Sequence, residues 1–389
     1  MSDIIKQQET ALIEQMVSDL FIVESSYQDG EQTTLSLTPR YDRIRTEAML
    51  VDRLKHSGYD FTVKQTEPLF IVTVSKTRGW HIPRLNIILF IITLFSVYFV
   101  PIFLRNLPSA LALVQPTAGD GSLSFTEEAG LVAKAISEAS QTTIGQIAEG
   151  RGFEFTVAII SILLIHEMGH FLAGRRRGIV TSWPYFIPAP NIIGTFGAVI
   201  KSKSPFWNRR DLIEVGAAGP IAGWVVAMGW LVYGLANSQV LPAEAFSTSE
   251  MAFSLEGESL LMQTLAPLLV GDAPSGYFYL FTEAAFAGWV GLLVTAMNML
   301  PIGQFDGGHI AYGLLRNRQY AFGWMAMAGL IVMGFESQMW WLFAAFGLFF
   351  GVAHPPTLDD NRKLSRTSVI MGIVSLVILI VSFTPVPFR

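Results

Sequence analysis

The chain has 389 residues, of which 51% are hydrophobic and 15% are charged, and its formal net charge is −5. A soluble domain carries about 25% charged residues, so this composition indicates a membrane protein embedded in a lipid bilayer, with some soluble mass. The small net charge argues against nucleic acid as a partner, and the lack of cysteine excludes disulfides, thiolate nucleophiles and cysteine-ligated zinc.

Residues 1–80 have the pattern of a small soluble α/β domain. Apolar residues at helical spacing predict helices, and alternating apolar and polar residues predict strands. The expected helices cover 9–21 and 41–57, and the expected strands cover 33–38, 59–63 and 69–74. This domain has no catalytic motif, so we predict a cytoplasmic domain with a regulatory role.

Seven apolar segments follow, and crossing a bilayer takes about 20 apolar residues. The sixth segment is separated from the fifth only by Glu336 and Ser337, so the count is seven with an uncertainty of one. The predicted fold class is a mostly α-helical polytopic membrane protein with a small N-terminal α/β domain. The segments are 85–104, 152–174, 213–236, 281–301, 321–335, 338–353 and 367–384. We divide this part into a first transmembrane helix (85–104), an external loop (106–150), a catalytic membrane core (152–320) and C-terminal helices (321–389).

Lysine and arginine predict the orientation of these segments, because positive residues concentrate in cytoplasmic loops. With seven spans and a cytoplasmic N-terminus, the main positive clusters all fall on the cytoplasmic side. The segment 238–280 would then be external, and it contains no lysine or arginine.

The second apolar segment carries His166-Glu167-Met168-Gly169-His170. Histidines four residues apart lie on one face of a helix, so both imidazoles can bind one metal ion. Glu167 can then act as general base toward a water molecule that the metal activates. Ionisable residues at membrane depth are costly and mark functional sites by default, so the pattern favours peptide-bond hydrolysis over packed core histidines.

A catalytic zinc site usually has three protein ligands, so the two histidines need a third. The fourth apolar segment ends in NMLPIGQFDGG, residues 298–308, and the predicted orientation places Asp306 on the same side of the membrane. The alternative for Asp306 is a turn-forming Asp-Gly. Asn298 would either stabilise an oxyanion or hydrogen-bond between helices.

The pair HEMGH and NMLPIGQFDGG, on separate apolar segments, resembles the site-2 protease family of intramembrane zinc metalloproteases. The resemblance covers about residues 150–320. Within this family the chain is similar to the EGY-like branch, which is known from plants, cyanobacteria and other prokaryotes. It implies Zn²⁺ held by His166, His170 and Asp306, with Glu167 as general base and then proton donor to the leaving amine. It also implies the cell membrane of a prokaryote or an internal photosynthetic membrane.

Residues 181–207 are rich in proline, glycine and aromatic residues and cannot form a spanning helix. A helical substrate hides its peptide bonds, and an extended edge can hold an unwound one by main-chain pairing. We predict this substrate-binding role for the start of the extended segment; the alternative is a plain interfacial hairpin. The four candidate residues are Gly194, Thr195, Phe196 and Gly197.

Four other residues have less specific patterns. Gly219 and Gly223, four apart in the third apolar segment, indicate close helix packing rather than catalysis. His309 and His354 fall near the predicted cytoplasmic side, where each is either a packed histidine or a group that supports the metal ligands.

Together these features predict an intramembrane zinc endopeptidase that cleaves transmembrane protein substrates near one face of the membrane. A metal-ion transporter or channel is the first alternative, but it needs charges along a path, and here they form one cluster. A catalytically inactive scaffold is the second, and the intact Glu167 argues against it. The sequence carries no signal for the oligomeric state.

Overall fold

A computed structural model describes residues 10–11, 13–29, 32–55, 59–66, 69–76, 82–113, 125–179, 181–202, 206–245, 252–357 and 359–387. The described chain is mostly helical, and its N-terminal part is an α/β domain.

The N-terminal domain contains a four-stranded antiparallel sheet with the order β1-β2-β4-β3. Side chains such as Leu35 and Leu37 point to one face of the sheet, against helix α1 and residues 13–17, which are also helical. Residue 9, where the first predicted helix begins, lies outside the described residues. The elements are β1 (Phe21–Asp29), β2 (Gln32–Pro39), α1 (Arg43–Lys55), β3 (Tyr59–Thr66) and β4 (Leu69–Lys76).

The sequence prediction missed β1 but located the other three strands and α1. In β1 the pairing register shifts between Val23 and Ser25, which is a β-bulge. A bulge puts two residues opposite one and breaks the alternation of apolar and polar side chains. The strand therefore lacks the periodic signal that identified β2, β3 and β4.

Ten helices follow in the described part of the chain. They are α2 (Arg84–Leu113), α3 (Phe125–Ala148), α4 (Phe153–Arg176), α5 (Arg209–Ala236), α6 (Leu260–Leu269), α7 (Glu283–Asn298), α8 (Asp306–Leu315), α9 (Gln319–Met333), α10 (Met339–Phe350) and α11 (Arg366–Ser382).

Among the described residues, three helices are long and apolar enough to cross a membrane: α2, α4 and α5, with 30, 24 and 28 residues. The other four predicted spans are also helices, but α7, α9, α10 and α11 have only 16, 15, 12 and 17 residues. Because a span takes about 20 residues, the structure does not confirm the count of seven.

The segment 106–150, expected to be an external loop, contains the end of α2 and all of α3. Ala110, Ala135 and Ala139 are buried between these helices, and the side-chain amide of Asn106 donates to Oγ1 of Thr143 at 3.1 Å. Residues 114–124 of that segment lie outside the described residues. Phe103, Leu107 and Leu131 pack against these alanines, so the segment forms a helical pair with α2 rather than a loop.

Two small sheets connect the helices. The strands β5 (Tyr185–Pro188) and β6 (Thr195–Val199) form an antiparallel hairpin between α4 and α5. Between α5 and α7, β7 (Gln239–Pro242), β8 (Ala252–Phe253) and β9 (Tyr277–Leu280) form a sheet with the order β7-β9-β8. The apolar stretch 260–270 lies in the same region and contains α6.

Helix α5 is central and contacts α4, α7, α8 and α11. Glycines permit these contacts, because a methyl group added to Gly169 in α4 would lie 2.6 Å from the carbonyl oxygen of Ala218 in α5. On the other side, a methyl group on Gly288 in α7 would lie 2.5 Å from the backbone nitrogen of Leu231. The helix that carries the HEMGH motif therefore touches α5 backbone to backbone.

The N-terminal domain contacts the start of α5 through Trp207. This side chain is 6% exposed, belongs to the hydrophobic core of the domain, and lies 6.1 Å from the ring of Phe61 in β3. The next residue, Asn208, caps α5 by accepting hydrogen bonds from the first backbone N–H groups of the helix. The domain is thus attached directly to the end of a long apolar helix.

Candidate metal centre

The two histidines of the HEMGH motif lie on one face of helix α4, with their Nε2 atoms close together. His166 and His170 are one turn apart, and their Nε2 atoms are separated by 3.2 Å. His166 and Glu167 are each 6% exposed. Two imidazole nitrogens this close, inside a helix bundle, are arranged to share a positively charged partner.

Asp306, the first residue of α8, is the third member of the cluster. Its Oδ2 lies 3.3 Å from Nε2 of His166, and its Oδ1 lies 3.3 Å from Nε2 of His170. One ligand atom from each of the three residues falls within 4.8 Å of the others. The predicted ligand set is therefore brought together by two helices that are 130 residues apart in the chain.

The Asp-Gly-Gly sequence determines where Asp306 lies. A methyl group on Gly307 would overlap the carbonyl oxygen of Met299, and one on Gly308 would overlap that of Gly303. The start of α8 therefore packs directly on the turn that follows α7. Gly303 has φ +50°, which favours glycine, and its N–H donates to the carbonyl of Val352 at 2.9 Å.

The backbone of α5 orients His170. The Nδ1 atom of His170 lies 2.7 Å from the carbonyl oxygen of Val215. A carbonyl only accepts hydrogen bonds, so Nδ1 carries the proton and Nε2 keeps its lone pair for a metal. No sequence pattern indicates this contact, because a backbone carbonyl has the same chemistry at every residue.

Gly219 and Gly223 face the metal ligands. A methyl group on Gly219 would lie 2.1 Å from Nε2 of His170, and one on Gly223 would lie 3.0 Å from Nδ1 of His166. Their predicted role was helix packing alone. The contacts are indeed between α4 and α5, but the space that these glycines leave is filled by the two imidazoles.

Asn298 is the last residue of α7 and is half-buried. Within the described residues its side-chain amide makes no hydrogen bond to the three ligands. Both of its predicted roles, oxyanion stabilisation and a bond between helices, therefore stay predictions.

The four predicted substrate-binding residues lie at the turn and start of the β5–β6 hairpin. Gly194 has φ +80° and approaches the backbone of α2 closely, while Thr195 is buried and donates through Oγ1 to the carbonyl of Ile187 at 2.7 Å. Phe196 is 66% exposed, and Gly197 has φ +96°. In the described residues β6 pairs with no strand other than β5, and it also contacts the helices α2 and α4.

The donor set fits zinc. Zinc is bound in catalytic sites by histidine nitrogens and carboxylate oxygens, with three protein ligands and one position left for water or substrate. His166, His170 and Asp306 supply these atoms, and Val215 fixes the tautomer of one of them. A neighbouring buried glutamate, Glu167, completes the residues of a metal-dependent hydrolase site.

A buried His-Glu-x-x-His helix, completed by an aspartate from a second helix, defines the metal site of a metalloprotease domain. Comparison with known families agrees with this description: residues 154–333 match the model of peptidase family M50. The match includes His166, Glu167, His170 and Asp306, and also Asn298.

The most similar relatives among curated proteins include the probable chloroplastic zinc metalloproteases EGY2 and EGY1 of Arabidopsis thaliana. The chain is 31% identical to EGY2 over 58% of its own length and 40% of that protein, and 31% identical to EGY1 over 59% and 42%. The rice (Oryza sativa subsp. indica) EGY2 is 30% identical over 60% and 42%. The chain thus spans about two fifths of the length of these relatives. No solved structure matches it significantly.

Proposed function

We propose that the protein is an intramembrane zinc endopeptidase that hydrolyses peptide bonds within or near the transmembrane segments of other membrane proteins. The observation that carries this proposal is the position of the cluster. His166, Glu167 and His170 lie in a helix long and apolar enough to cross a membrane, and Asp306 joins them from a second helix. The zinc metalloproteases among the relatives support the same chemistry.

In this proposal each residue of the cluster has a defined task. His166, His170 and Asp306 would hold zinc, which would supply the Lewis acidity that activates water at neutral pH and polarises a carbonyl group. Glu167 takes a proton from the attacking water and later gives it to the nitrogen of the leaving amine. Asn298 donates from its side-chain amide to the oxygen that becomes negatively charged.

The edge of β6 that pairs with no strand among the described residues is the proposed site for an unwound substrate. A peptide added to this edge would run beside α4 and would be held by main-chain hydrogen bonds. The exposed side chains of Phe196 and Val199 lie on this strand and would contact it. The contact between β6 and α4 supports the idea that such a peptide reaches the cluster.

The N-terminal domain is proposed to regulate access from the same side of the membrane as the metal centre. The support is Trp207, which lies in the core of the domain and directly before α5. The lysine and arginine distribution supports the proposal that this is the cytoplasmic side, of either a prokaryotic cell membrane or an internal photosynthetic membrane.

Replacing Glu167 with glutamine tests the proposed reaction. The amide keeps the shape of the side chain but cannot accept a proton, so cleavage of a model transmembrane substrate should fall at least about 100-fold while bound zinc is unchanged. Glu154→Gln is the matched control, because Glu154 lies in the first turn of the same helix and is exposed. Equal cleavage by the wild type and Glu167→Gln would refute the mechanism, whereas a wild type that cleaves no substrate would favour a transporter or an inactive scaffold.

Photocrosslinking tests the edge-strand proposal. A photoreactive phenylalanine at position 196 should crosslink to a substrate that is trapped on the Glu167→Gln variant. The control is the same group at Phe349 in α10, which is 82% exposed. Crosslinking at 196 that is no stronger than at 349 would contradict strand addition.

A further inference from the structure

Helix α2 carries two polar side chains that bind the backbone of the β5–β6 hairpin. Asn86 is 4% exposed, and its side-chain amide donates to the carbonyl oxygen of Trp183 at 3.0 Å and to that of Pro184 at 2.8 Å. Ser96 is also buried, and its hydroxyl donates to the carbonyl oxygen of Ala189 at 3.3 Å. A buried amide or hydroxyl in an apolar helix is costly unless it is hydrogen-bonded, and here the hairpin supplies the partners.

The contacts between α2 and β5 follow both elements in the same order. Asn86 binds just before the strand, and Ser96 binds just after it. Between these two bonds, the ring of Phe90 packs edge-on against that of Phe186, with the ring centroids 5.0 Å apart. Asn86 and Ser96 are ten residues apart, which is about 15 Å along a helix, and the extended segment between their partners spans about 16 Å. Strand β5 therefore lies along α2 over its whole length.

The segment that Asn86 binds also touches the helix of the metal ligands. The ring of Trp183 stacks on that of Phe171 in α4, with the ring centroids 4.8 Å apart, and Phe171 directly follows His170. Trp183 thus contacts α2 through its backbone and α4 through its side chain. The start of the hairpin is therefore fixed between α2 and the helix that carries the metal ligands.

Asparagine has the chemistry that this contact requires. A single side-chain amide nitrogen carries two N–H groups, and in Asn86 these reach the carbonyl oxygens of two consecutive residues, Trp183 and Pro184. A hydroxyl group could donate to only one of them, and an apolar side chain to neither. Asn86 therefore fixes the direction in which the chain enters β5.

We propose that Asn86 is a positioning residue, which ties β5 to α2 and thereby holds the edge of β6 in place for the substrate. The idea rests on the proposed peptidase function. Among the described residues β6 pairs with no strand other than β5, so the position of β6 follows from that of β5. Main-chain pairing passes this position on to a bound peptide, and a scissile bond reacts only when it is held at the correct distance from the metal centre. Asn86 acts through β5 and does not itself touch the substrate.

The test uses full-length, zinc-loaded protein and the variant Asn86→Leu, whose side chain is similarly branched but has no donor. KM for a model transmembrane substrate should rise about 10-fold while kcat stays within about twofold of wild type, because substrate binding is weakened and the reacting groups are intact. Zinc content should be unchanged. Thr93→Val is the matched control, because Thr93 is buried in the same helix and its hydroxyl makes no hydrogen bond to any described residue. It should keep the wild-type KM.

Two further measurements support the first. Ser96→Ala removes the single, longer hydrogen bond at the other end of β5, so KM should rise by a smaller factor of about three. If Asn86→Leu does not fold, Ser96→Ala is judged by the same criteria. Hydrogen exchange reports the contact without any cleavage: backbone amides of β6 should exchange about 10-fold faster in Asn86→Leu than in wild type, whereas those of α7 should be unchanged.

Four results would each overturn the positioning role. They are a KM for Asn86→Leu within about twofold of wild type, an equal rise in KM for Thr93→Val, loss of zinc from Asn86→Leu, and unchanged exchange in β6. Wild-type protein that cleaves no better than Glu167→Gln would instead refute the proposed function. In that case faster exchange in β6 of Asn86→Leu would still support the tie between α2 and the hairpin.

Discussion

Gly219→Ala should remove zinc from the protein by displacing one ligand. The added methyl carbon would lie 2.1 Å from Nε2 of His170 and 2.3 Å from its Cδ2. Non-bonded heavy atoms are comfortable at about 3.5 Å, so the ring would have to retreat by about 1.4 Å. Ligand positions in metal sites tolerate about 0.2 Å. His170 is also held by Val215, so the ring cannot retreat without breaking that hydrogen bond.

The expected result is a loss of zinc affinity of at least about 100-fold, because replacing groups that only support a ligand already costs 10- to 100-fold. Gly223→Ala places its methyl carbon 3.0 Å from the His166 ring and should have a smaller effect. Gly229→Ala is the matched control, since it lies in the same helix with nothing within 4 Å of the added carbon. It should keep zinc and gain about 1 kcal/mol of helix stability.

The assay is zinc content and zinc affinity of the three purified variants, with thermal unfolding of each as a measure of folding. The expected order of zinc loss is Gly219→Ala, Gly223→Ala, Gly229→Ala, from the largest loss to none. A Gly219→Ala variant that binds zinc as tightly as the wild type would refute it, because the imidazole would then have room that the structure does not show.

Two further predictions concern the regions around the core. Trp207→Ala should destabilise the N-terminal domain by about 3–5 kcal/mol, which would be measured as faster proteolysis of that domain. Trp324→Ala is the control, because Trp324 is 45% exposed and its loss should leave the domain intact. Equal proteolysis of both variants would contradict the contact between Trp207 and Phe61. Burial raises the pKa of Glu258 to about 7, although Trp289 donates a hydrogen bond to it. A folded pKa above the ordinary 4.5 means that stability is lost as pH rises from about 4.5 to about 7, by up to about 3 kcal/mol. Glu258→Gln should flatten this dependence in thermal melts at about pH 5 and about pH 8, and an unchanged slope would count against the buried carboxyl.

Motifs with local spacing could be predicted from the sequence. The four-residue spacing of His166 and His170 places both on one helix face in any α-helix, so no tertiary information was needed. Asp306 was predictable because it follows an apolar segment that is interrupted by Pro301 and Gly303. The alternating strands and α1 of the N-terminal domain were predictable for the same reason, since their patterns repeat over a few residues.

Other features depend on contacts between distant segments, and no local pattern reports them. The bulge in β1 hid a strand, and the contact between α2 and α3 forms a helical pair within a supposed loop. The number of spans stayed open because hydropathy reports only how long an apolar stretch is. In the structure α2, α4 and α5 are long enough to cross a membrane, whereas the other four predicted spans are helices of 12 to 17 residues.

The cluster of His166, His170 and Asp306, with Glu167 beside it, could be predicted from the sequence alone, because the chemistry of those side chains and their spacing are local properties. How these residues are held depends on helix packing: the carbonyl of Val215 selects the tautomer of His170, and Gly219 leaves the space that its ring occupies. The contact between His309 and His354 depends on the same packing. A backbone carbonyl, a missing methyl group and a pair of distant rings acquire their roles only when helices far apart in the chain pack against each other.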